Sequence, residues 1–363
     1  MKNLLTYIVK QLIERSFIVK RAICLILILL FSLLAIGCNA ASGAAGDYFA
    51  PMDGGLYYGN LDFVWSDEYN GYFVYENTGS DRMDIVIPST FNGKNVVGIG
   101  RHAFGAYSKV RNVIVPDSVI VIESQAFNYC DYLESVTFSK GSSLEILADY
   151  AFFNCKSIES ISIPASVREI GYRAFSTCPS LFSLTVDVEN ESYCSQSGDI
   201  YTKDMKKLVA VAPAGNAIFD AAPDGDQYPS VYTVPNGVEI IGAGAFADCD
   251  DIERVFIPNT VVAIEKAAFA YCDNLVDVIF EEGINLVTIG ESAFRECSSL
   301  TRMNIPSTLK TLGRYVFYCD NALVEFNYDG TTEQWSEIEK GEKWDVNTGN
   351  YVINCIDSVI NKE

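Results

Sequence analysis

The chain has 363 residues, and 49% of them are hydrophobic, which is enough apolar material for a continuous buried core. Its 47 Asp and Glu residues outnumber its 26 Lys and Arg residues and give a formal net charge of −21. Because phosphate backbones are bound by Lys and Arg side chains, this balance argues against a nucleic-acid partner.

Residues 1–37 are predicted to form a lipoprotein signal peptide. A basic segment precedes an apolar run over residues 22–36, which is short for a membrane span and typical of a secretory signal. The run ends in LAIGC at residues 34–38, which resembles the bacterial lipobox. That resemblance implies that Cys38 is lipidated and becomes the first residue of the mature chain. An uncleaved membrane anchor and ordinary cleavage are the two alternatives.

Residues 38–82 are predicted to be a linker followed by an N-terminal β cap. Aromatic residues are dense between Tyr48 and Tyr75, and side-chain polarity alternates over residues 61–65 and 72–75. Alternation of this kind indicates short strands. We expect these strands to close the open end of the structure that follows, and a carbohydrate-stacking platform is the alternative.

A phenylalanine then recurs eight times with the same apolar neighbours. Ile or Leu stands five residues before each one, Val or Leu eight residues before, and another aliphatic residue six residues after. The eight are Phe104, Phe127, Phe152, Phe175, Phe246, Phe269, Phe294 and Phe317. Their successive separations along the chain are 23, 25, 23, 71, 23, 25 and 23. This period predicts a solenoid, in which each unit buries its inward face against its neighbours.

Each unit is predicted to contain two short strands on either side of a turn. In the unit 238–258, Gly242 gives a tight bend, and the residues around Phe246 form a turn or a single helical loop. Val255 and Ile257 follow with the alternation of a strand, which Pro258 ends because it cannot donate the next ladder hydrogen bond. The units form a first arm, residues 83–186, and a second arm, residues 234–328.

The long separation between Phe175 and Phe246 is one repeat length plus an extra segment, which defines an insert at 187–233. Residues 198–202 and 208–211 flank a polar turn and predict a β-hairpin. The acidic loop Asp220–Asp226 could hold a cation through its oxygens. A solvated turn is the favoured interpretation of that loop.

These units resemble the BspA-type leucine-rich repeat, a bacterial cell-surface family, with the pattern Ile-Pro-x-x-Val-x-x-Ile-Gly-x-x-Ala-Phe-x-x-Cys-x-x-Leu over about residues 83–328. Residues 328–335 are similar to the family's C-terminal end piece, which predicts a C-terminal cap at 329–363. Tyr107 replaces the cysteine of the first unit. The resemblance implies an α/β-type, mostly β, leucine-rich repeat solenoid with short parallel strands, a hairpin insert and capped ends. It also implies a binding scaffold and leaves the ligand open.

Seven cysteines predict a ladder of small buried thiols beside the phenylalanines. They are Cys130, Cys155, Cys178, Cys249, Cys272, Cys297 and, one position early in its unit, Cys319. Because they are a whole repeat apart and His102 is the only histidine, the sequence predicts no metal site, no cofactor and no catalytic residue. Cys194 and Cys355 lie outside the ladder and are the better candidates for a disulfide.

The outward positions of the longer strands differ between the two arms. In the first arm they are small and polar, as at Ser160 and Ser162. The outward offsets of the second arm hold larger groups, among them Arg254, Phe256, Ile279 and Arg302. Aromatic and aliphatic groups beside arginines predict a partner-binding surface. Packing between neighbouring strands is the alternative.

Together these features predict a non-enzymatic, lipid-anchored scaffold at the cell surface. Its expected partner is a host matrix protein or another cell-surface protein, and its N-terminal lipid is expected to reach the membrane. A structural envelope protein is one alternative function, and a carbohydrate-active surface protein is another.

Overall fold

The computed structural model describes residues 61–77, 83–105, 109–215 and 231–362. All of them belong to one compact unit, Tyr57–Glu363. The predicted signal peptide, Cys38, Tyr107 and the acidic loop Asp220–Asp226 lie outside the described residues.

The strands are short and are numbered in chain order. Up to the end of the insert's hairpin they are β1 (Leu61–Ser66), β2 (Gly71–Asn77), β3 (Asp84–Val86), β4 (Thr90–Phe91), β5 (Lys94–Ile99), β6 (Asn112–Val115), β7 (Val121–Ile122), β8 (Ser135–Phe138), β9 (Ile146–Leu147), β10 (Ser160–Ile163), β11 (Glu169–Ile170), β12 (Ser183–Val186), β13 (Tyr193–Gln196), β14 (Asp199–Thr202) and β15 (Lys207–Ala210). The others are β16 (Val231–Thr233), β17 (Ile240–Ile241), β18 (Arg254–Ile257), β19 (Ala263–Ile264), β20 (Asp277–Phe280), β21 (Thr288–Ile289), β22 (Arg302–Ile305), β23 (Thr311–Leu312), β24 (Glu325–Tyr328), β25 (Glu339–Lys340), β26 (Val352–Asn354) and β27 (Val359–Asn361). Among the described residues the one helix is α1 (Thr332–Glu337).

The strands stack into two columns, and the chain passes through both columns once per turn. The longer strands pair in parallel on one side, for example β6 with β8 and β18 with β20. The two-residue strands pair in parallel on the other side, in one row that continues from β5 to β11 and another that continues from β15 to β25. The result is a mostly β solenoid of about 11 turns, which confirms the predicted fold class.

The column of longer strands is divided into separate sheets at three places. The sheets are β3-β6-β8, β10-β12, β16-β18-β20 and β22-β24-β26-β27. Two of the divisions fall at the loops 139–143 and 281–285, which lengthen their repeats, and the third falls at the insert. The extra residues therefore interrupt backbone pairing on one side of the solenoid, while the two-residue strands of each arm stay paired.

The phenylalanines form two stacks in the core, as predicted. In the first arm the ring centroids of Phe104 and Phe127 are 4.9 Å apart, and in the second arm those of Phe246 and Phe269 are 4.6 Å apart. Offset stacking adds about 0.5–1.5 kcal/mol per pair to the gain from burial. Tyr232 of β16 packs edge-on against Phe246 at 4.8 Å and closes the second stack on the side of the insert.

The turns around the phenylalanines hold residues in the left-handed conformation, two positions before the ring and two positions after it. In the second unit these are Gln125, with φ of 63°, and Tyr129, with φ of 58°. Such a conformation costs a non-glycine residue roughly 1–2 kcal/mol. It is stabilised by bonds to the next unit, because the amides of Gln125 and Tyr129 donate to the carbonyls of Asp149 (3.0 Å) and Phe153 (2.8 Å).

The insert is continuous with the second arm. The predicted hairpin is present as β14 and β15, which are antiparallel, and β15 pairs in parallel with β17 of the second arm. Asp199 is buried in this region and accepts from the Ala212 amide at 3.0 Å and from the Tyr232 hydroxyl at 2.7 Å. The Ala214 amide donates to the Leu181 carbonyl of the first arm at 2.8 Å. The insert thus joins both arms through backbone bonds.

Both ends of the described solenoid are covered by aromatic side chains. At the N-terminal end the hairpin β1–β2 pairs with β5, and Phe73 is buried there. At the C-terminal end Trp335 of α1 is buried, and Trp344 packs against Phe317 and Phe326 at 6.2 and 5.7 Å. Phe73 and Trp335 are buried at the two ends, as caps require, whereas Trp65 and Tyr75 of the N-terminal hairpin are 37% and 42% exposed.

Candidate functional site

The predicted partner-binding residues lie on three successive strands of the second arm. We define the strand face as the outward side chains of the longer strands. Arg254 and Phe256 are on β18, Ile279 is on β20 and Arg302 is on β22, and each lies next to a buried residue. Phe256 stands opposite Ile279 in the parallel register of β18 and β20. The fold therefore brings these four residues onto one surface.

One column of this strand face alternates in charge. Arg254 is opposite Asp277, and Arg302 is opposite Glu325. Although β20 and β22 belong to separate sheets, the Nη2 atom of Arg302 lies 3.4 Å from Oδ2 of Asp277. Asp277 occupies an outward position of β20, yet only 7% of it is exposed. Opposite charges that face each other on neighbouring strands contribute roughly 0.2–1 kcal/mol per pair.

The adjacent column changes from apolar groups to amides along the arm. Phe256 and Ile279 are half-buried and are followed by Asn304, Asn327 and Asn354. The Nδ2 atom of Asn327 donates to Oδ1 of Asn304 at 3.2 Å, and Nδ2 of Asn354 donates to Oδ1 of Asn327 at 3.0 Å. A groove of about 430 Å³ adjoins these amides. Sequence reasoning missed Asn327 and Asn354 as surface residues, although Asn304 and Asn327 occupy the same offset in successive repeats.

The strand face of the first arm has a different character. Its polar groups bond to one another, since Oγ of Ser135 donates to Oδ1 of Asn112 at 2.7 Å and the Ser162 and Thr185 hydroxyls are 2.9 Å apart. Apart from Ile114 of β6, which is 43% exposed, these small groups offer a ligand little apolar area and few new hydrogen bonds. The two arms therefore present unlike surfaces on like cores.

A second surface is formed by the turns around the phenylalanines, and sequence reasoning produced no hypothesis for it. We call it the Arg–Tyr stripe, and its members are Tyr150, Phe153, Arg173, Tyr271, Arg295 and Tyr318. The Arg173 guanidinium lies 5.2 Å from the Phe153 ring centroid and 5.1 Å from that of Tyr271. Arg295 lies 5.6 Å from Tyr271 and 4.8 Å from Tyr318. The stripe thus continues from the first arm across the insert to the last unit.

An ion pair at the centre of this stripe joins the two arms. Arg173 of the first arm pairs with Asp248 of the second, and both side chains are largely buried. Burial raises the pKa of the Asp248 carboxyl, and the Arg173 guanidinium opposes that shift. Gly244 leaves room for the arginine, because a Cβ atom at that position would lie 2.6 Å from Cγ of Arg173. No sequence signal pointed to this pair, because Arg and Asp occur only once at these offsets from the phenylalanines.

The cysteines of the ladder are free thiols, as predicted, and all but the half-buried Cys319 are buried. Those of the inner units bond to the unit before: Sγ of Cys155 donates to the Phe127 carbonyl at 3.1 Å, and Sγ of Cys297 donates to the Phe269 carbonyl at 3.1 Å. Burial raises the pKa of the Cys297 thiol well above its usual value, so it stays protonated. In the described parts of the chain, no group of three or more His, Cys, Asp or Glu side chains could hold a metal ion.

Cys194 and Cys355, the candidates for a disulfide, are both free thiols, so that suggestion is wrong. Cys194 lies on β13, and its Sγ atom is 3.3 Å from Sδ of Met205. Both thiols pack at the edge of the second arm's core and are only partly buried. Their position outside the ladder reflects the insert and the C-terminal cap, where the repeat pattern no longer applies.

Asp320 takes the place of the ladder cysteine in the last unit, three residues after Phe317. It is 0% exposed, and its Oδ1 atom accepts from the Cys297 amide at 2.7 Å. Its Oδ2 atom is buried without a hydrogen-bond partner among the described atoms. Burial raises the pKa of this carboxyl to about 9, so it is neutral at pH 7.

None of the helices in the described part of the chain has the length and hydrophobicity needed to span a bilayer.

Comparison with known proteins identifies the repeats and the fold. Residues 82–197 and 229–338 match the BspA type Leucine rich repeat region, in 6 copies. The pneumococcal vaccine antigen PcpA is 19% identical, with a TM-score of 0.58 over 81% of this chain and 86% of that chain. A leucine-rich repeat protein from Eubacterium ventriosum is 17% identical, with a TM-score of 0.58 over 81% of this chain and 83% of that chain. No curated protein matches this chain.

A leucine rich cell surface protein from Faecalibacterium prausnitzii is also similar. It is 23% identical, with a TM-score of 0.40 over 82% of this chain and 99% of that chain. The two structures with the higher TM-score share the solenoid fold with this chain.

Proposed function

This chain belongs to the BspA-type leucine-rich repeat family, and we propose that it is a non-enzymatic, lipid-anchored scaffold at the bacterial cell surface. We propose further that it binds a protein partner through the strand face of its second arm. The partner would be a host matrix protein or another cell-surface protein.

The observation that carries this proposal is the composition of the second arm's strand face. Phe256 and Ile279 form an apolar centre, and Arg254 and Arg302 stand beside it. Arginine and aromatic side chains contribute most of the binding energy in many interfaces. The Arg302 side chain is 55% exposed, so its guanidinium is accessible to a partner while it also contacts Asp277.

The amides beyond this centre extend the same surface with hydrogen-bonding groups. In a chain of amides such as Asn304, Asn327 and Asn354, each side chain uses part of its hydrogen-bonding capacity on its neighbour. The rest of that capacity can serve a polar partner. An apolar centre with a polar rim is the usual anatomy of a protein interface.

Binding is tested with residues 39–363 against matrix proteins, glycans and whole cells. With a partner in hand, the double variant Arg254→Ala/Phe256→Ala should weaken binding by more than about 1 kcal/mol, roughly fivefold. The control is Ser160→Ala/Ser162→Ala, at matching offsets on the first arm, which should bind like the wild type. Thermal unfolding of each variant establishes that the fold is intact. If the serine variant is as sensitive as the Arg–Phe variant, the binding surface lies elsewhere.

Anchoring is tested separately at Cys38, the thiol that would be acylated. Cys38→Ser should abolish fatty-acid labelling and leave the precursor uncleaved. Labelling that persists in this variant would contradict the lipid anchor without bearing on the strand face. A chain that is anchored but binds none of the partners in the screen would instead favour a structural role in the envelope.

A further inference from the structure

A cavity of about 510 Å³ opens at the C-terminal end of the Arg–Tyr stripe. It is lined by Arg295, Tyr315, Tyr318, Lys343, Val346 and Asn347. These residues come from the turns of the last two units and from the segment after β25, so the cavity is separate from the strand face. Its size lies within the usual range for small-ligand sites.

Two aromatic walls meet in this cavity. The rings of Tyr315 and Tyr318 are 5.7 Å apart between centroids and lie at 87° to each other. Arg295 stacks on Tyr318 and Arg314 stacks on Tyr315, at 4.8 and 5.3 Å, which holds both rings in place. A fixed corner of two phenol rings offers flat apolar surface together with hydroxyl groups, and this combination suits a ring that has both C–H faces and polar edges.

The cavity also carries positive charge in a chain whose net charge is −21. Arg295 bonds to Glu296 through Nε at 2.9 Å and Nη2 at 2.8 Å, and a guanidinium with five N–H donors retains donors for a second acceptor. Lys343 is exposed at the rim and makes no salt bridge with any described residue.

The cations that line the cavity point to an anionic ligand. Arg295 is paired with Glu296, whereas Lys343 makes no salt bridge with any described residue, so one unpaired cation is available. A polyanion such as a nucleic acid would be repelled strongly by an acidic chain, whereas the repulsion of a single carboxylate is weaker because it carries only one charge. Charge-assisted hydrogen bonds from Arg and Lys to a carboxylate are among the stronger polar contacts.

We propose that this cavity binds a terminal acidic sugar, a saccharide ring that carries one carboxylate. The tyrosines would contact the C–H face of the ring, the Asn347 amide would bond to a hydroxyl group, and Arg295 and Lys343 would bind the carboxylate.

The test uses the full-length protein purified in detergent, with three soluble probes. Sialyllactose and a glucuronic-acid-terminated disaccharide carry the carboxylate on two different sugars, and lactose is the neutral control. Saturation-transfer NMR and calorimetry should show that at least one acidic probe binds about tenfold more tightly than lactose. The probe that binds identifies a sialic-type or a uronic-type ligand.

Two variants locate the binding in the cavity. Lys343→Asn removes the rim charge and keeps a residue that tolerates the local φ of 57°, and Arg295→Gln removes the stacked cation. Each should weaken acidic-sugar binding about fivefold or more. The matched controls are Lys140→Asn, which removes one charge from the first arm, and Tyr129→Asn, which removes a turn tyrosine there. Both controls should bind within about twofold of the wild type.

Three results would overturn the proposal: no saturation transfer from either acidic probe at about 10 mM, equal binding of lactose, or equal weakening by Lys140→Asn and Lys343→Asn. Thermal unfolding reports whether Arg295→Gln is folded. If that variant is unfolded, Lys343→Asn still tests the cavity, because Lys343 is exposed and its replacement should not disturb the fold. Arg254→Ala/Phe256→Ala, on the strand face, should leave sugar binding unchanged. The sugar site and the protein-binding site can therefore be contradicted separately.

Discussion

The two arms of this solenoid share a core and differ at the surface. In both arms stacked phenylalanines, aliphatic residues at the same offsets and buried thiols fill the interior. On the strand face, the first arm has mostly small polar groups that bond to one another, with one exposed aliphatic residue, Ile114, whereas the second has arginines, apolar groups and amides. The repeat period constrains inward positions because each must fit its neighbours, and it leaves outward positions to vary. The difference between the arms is therefore informative about function in a way that their similarity is not.

The largest loss of stability is expected from substitutions in the phenylalanine core, which the two arms share. Phe127→Ala and Phe246→Ala should each lower the free energy of unfolding by roughly 3–5 kcal/mol, because each empties a fully buried aromatic site. Reversible chemical denaturation measures both values. A loss under about 1 kcal/mol in either variant would show that the cores of the two arms are not equivalent.

The coupling between the arms is tested at the buried ion pair. Asp248→Ala should cost about 3 kcal/mol, because it leaves the Arg173 guanidinium buried without its carboxylate. In a linear repeat protein a weakened interface lets the segments unfold separately, so two denaturation transitions are expected in place of one. The double variant Arg173→Met/Asp248→Ala should recover much of the loss. A single transition with unchanged midpoint in Asp248→Ala would mean that the insert alone couples the arms.

The last unit of the second arm differs from the others because Asp320 stands in place of the ladder cysteine, and this difference can be tested. Because its pKa is about 9 in the folded state and 3.8 is the ordinary value, the folded state holds a proton that the unfolded state releases. Between about pH 4 and pH 9 this group therefore makes the unfolding free energy fall as pH rises. Asp320→Cys restores the residue found in the other units and should stabilise the protein by on the order of 2 kcal/mol at pH 7.

The control for this prediction is the same variant at about pH 4, where the advantage over the wild type should largely disappear. Denaturation curves at both pH values give the difference. An advantage that does not change with pH would indicate that packing, and not the proton, causes it.

The smallest effect on stability is expected from substitutions on the strand face, where the two arms differ most. Arg302→Ala should change the unfolding free energy by less than about 1 kcal/mol, because the arginine side chain is 55% exposed and its ion pair is screened by solvent. Ser162→Ala on the first arm should be similarly mild. If Arg302→Ala costs several times more than Ser162→Ala, the arginine serves the fold, and the proposed binding role loses its support.

The inward half of each unit was predictable from the amino-acid sequence. The offsets of Phe246, Val255 and Ile257 specify which side chains face the core, because a strand alternates its faces and a solenoid repeats them. The buried thiols and the hairpin at residues 199–210 were predictable for the same reason, and they are found as expected. The common surface of Arg254, Phe256, Ile279 and Arg302 also follows from the repeat, since the offsets set the register, whereas their role in binding stays a prediction.

The sequence did not determine which units meet across the insert, because the long interval between Phe175 and Phe246 has no fixed path. Only the tertiary structure brings Arg173 to Asp248 and Tyr271, and only it gathers Arg295, Tyr318 and Lys343 around one cavity. It also shows that Asp277 is paired with an arginine from the next sheet and that Asp320 is neutral where the other units have a thiol. Periodicity fixes contacts between equivalent positions of neighbouring units, whereas contacts between different positions depend on how the chain is bent by its loops and insert.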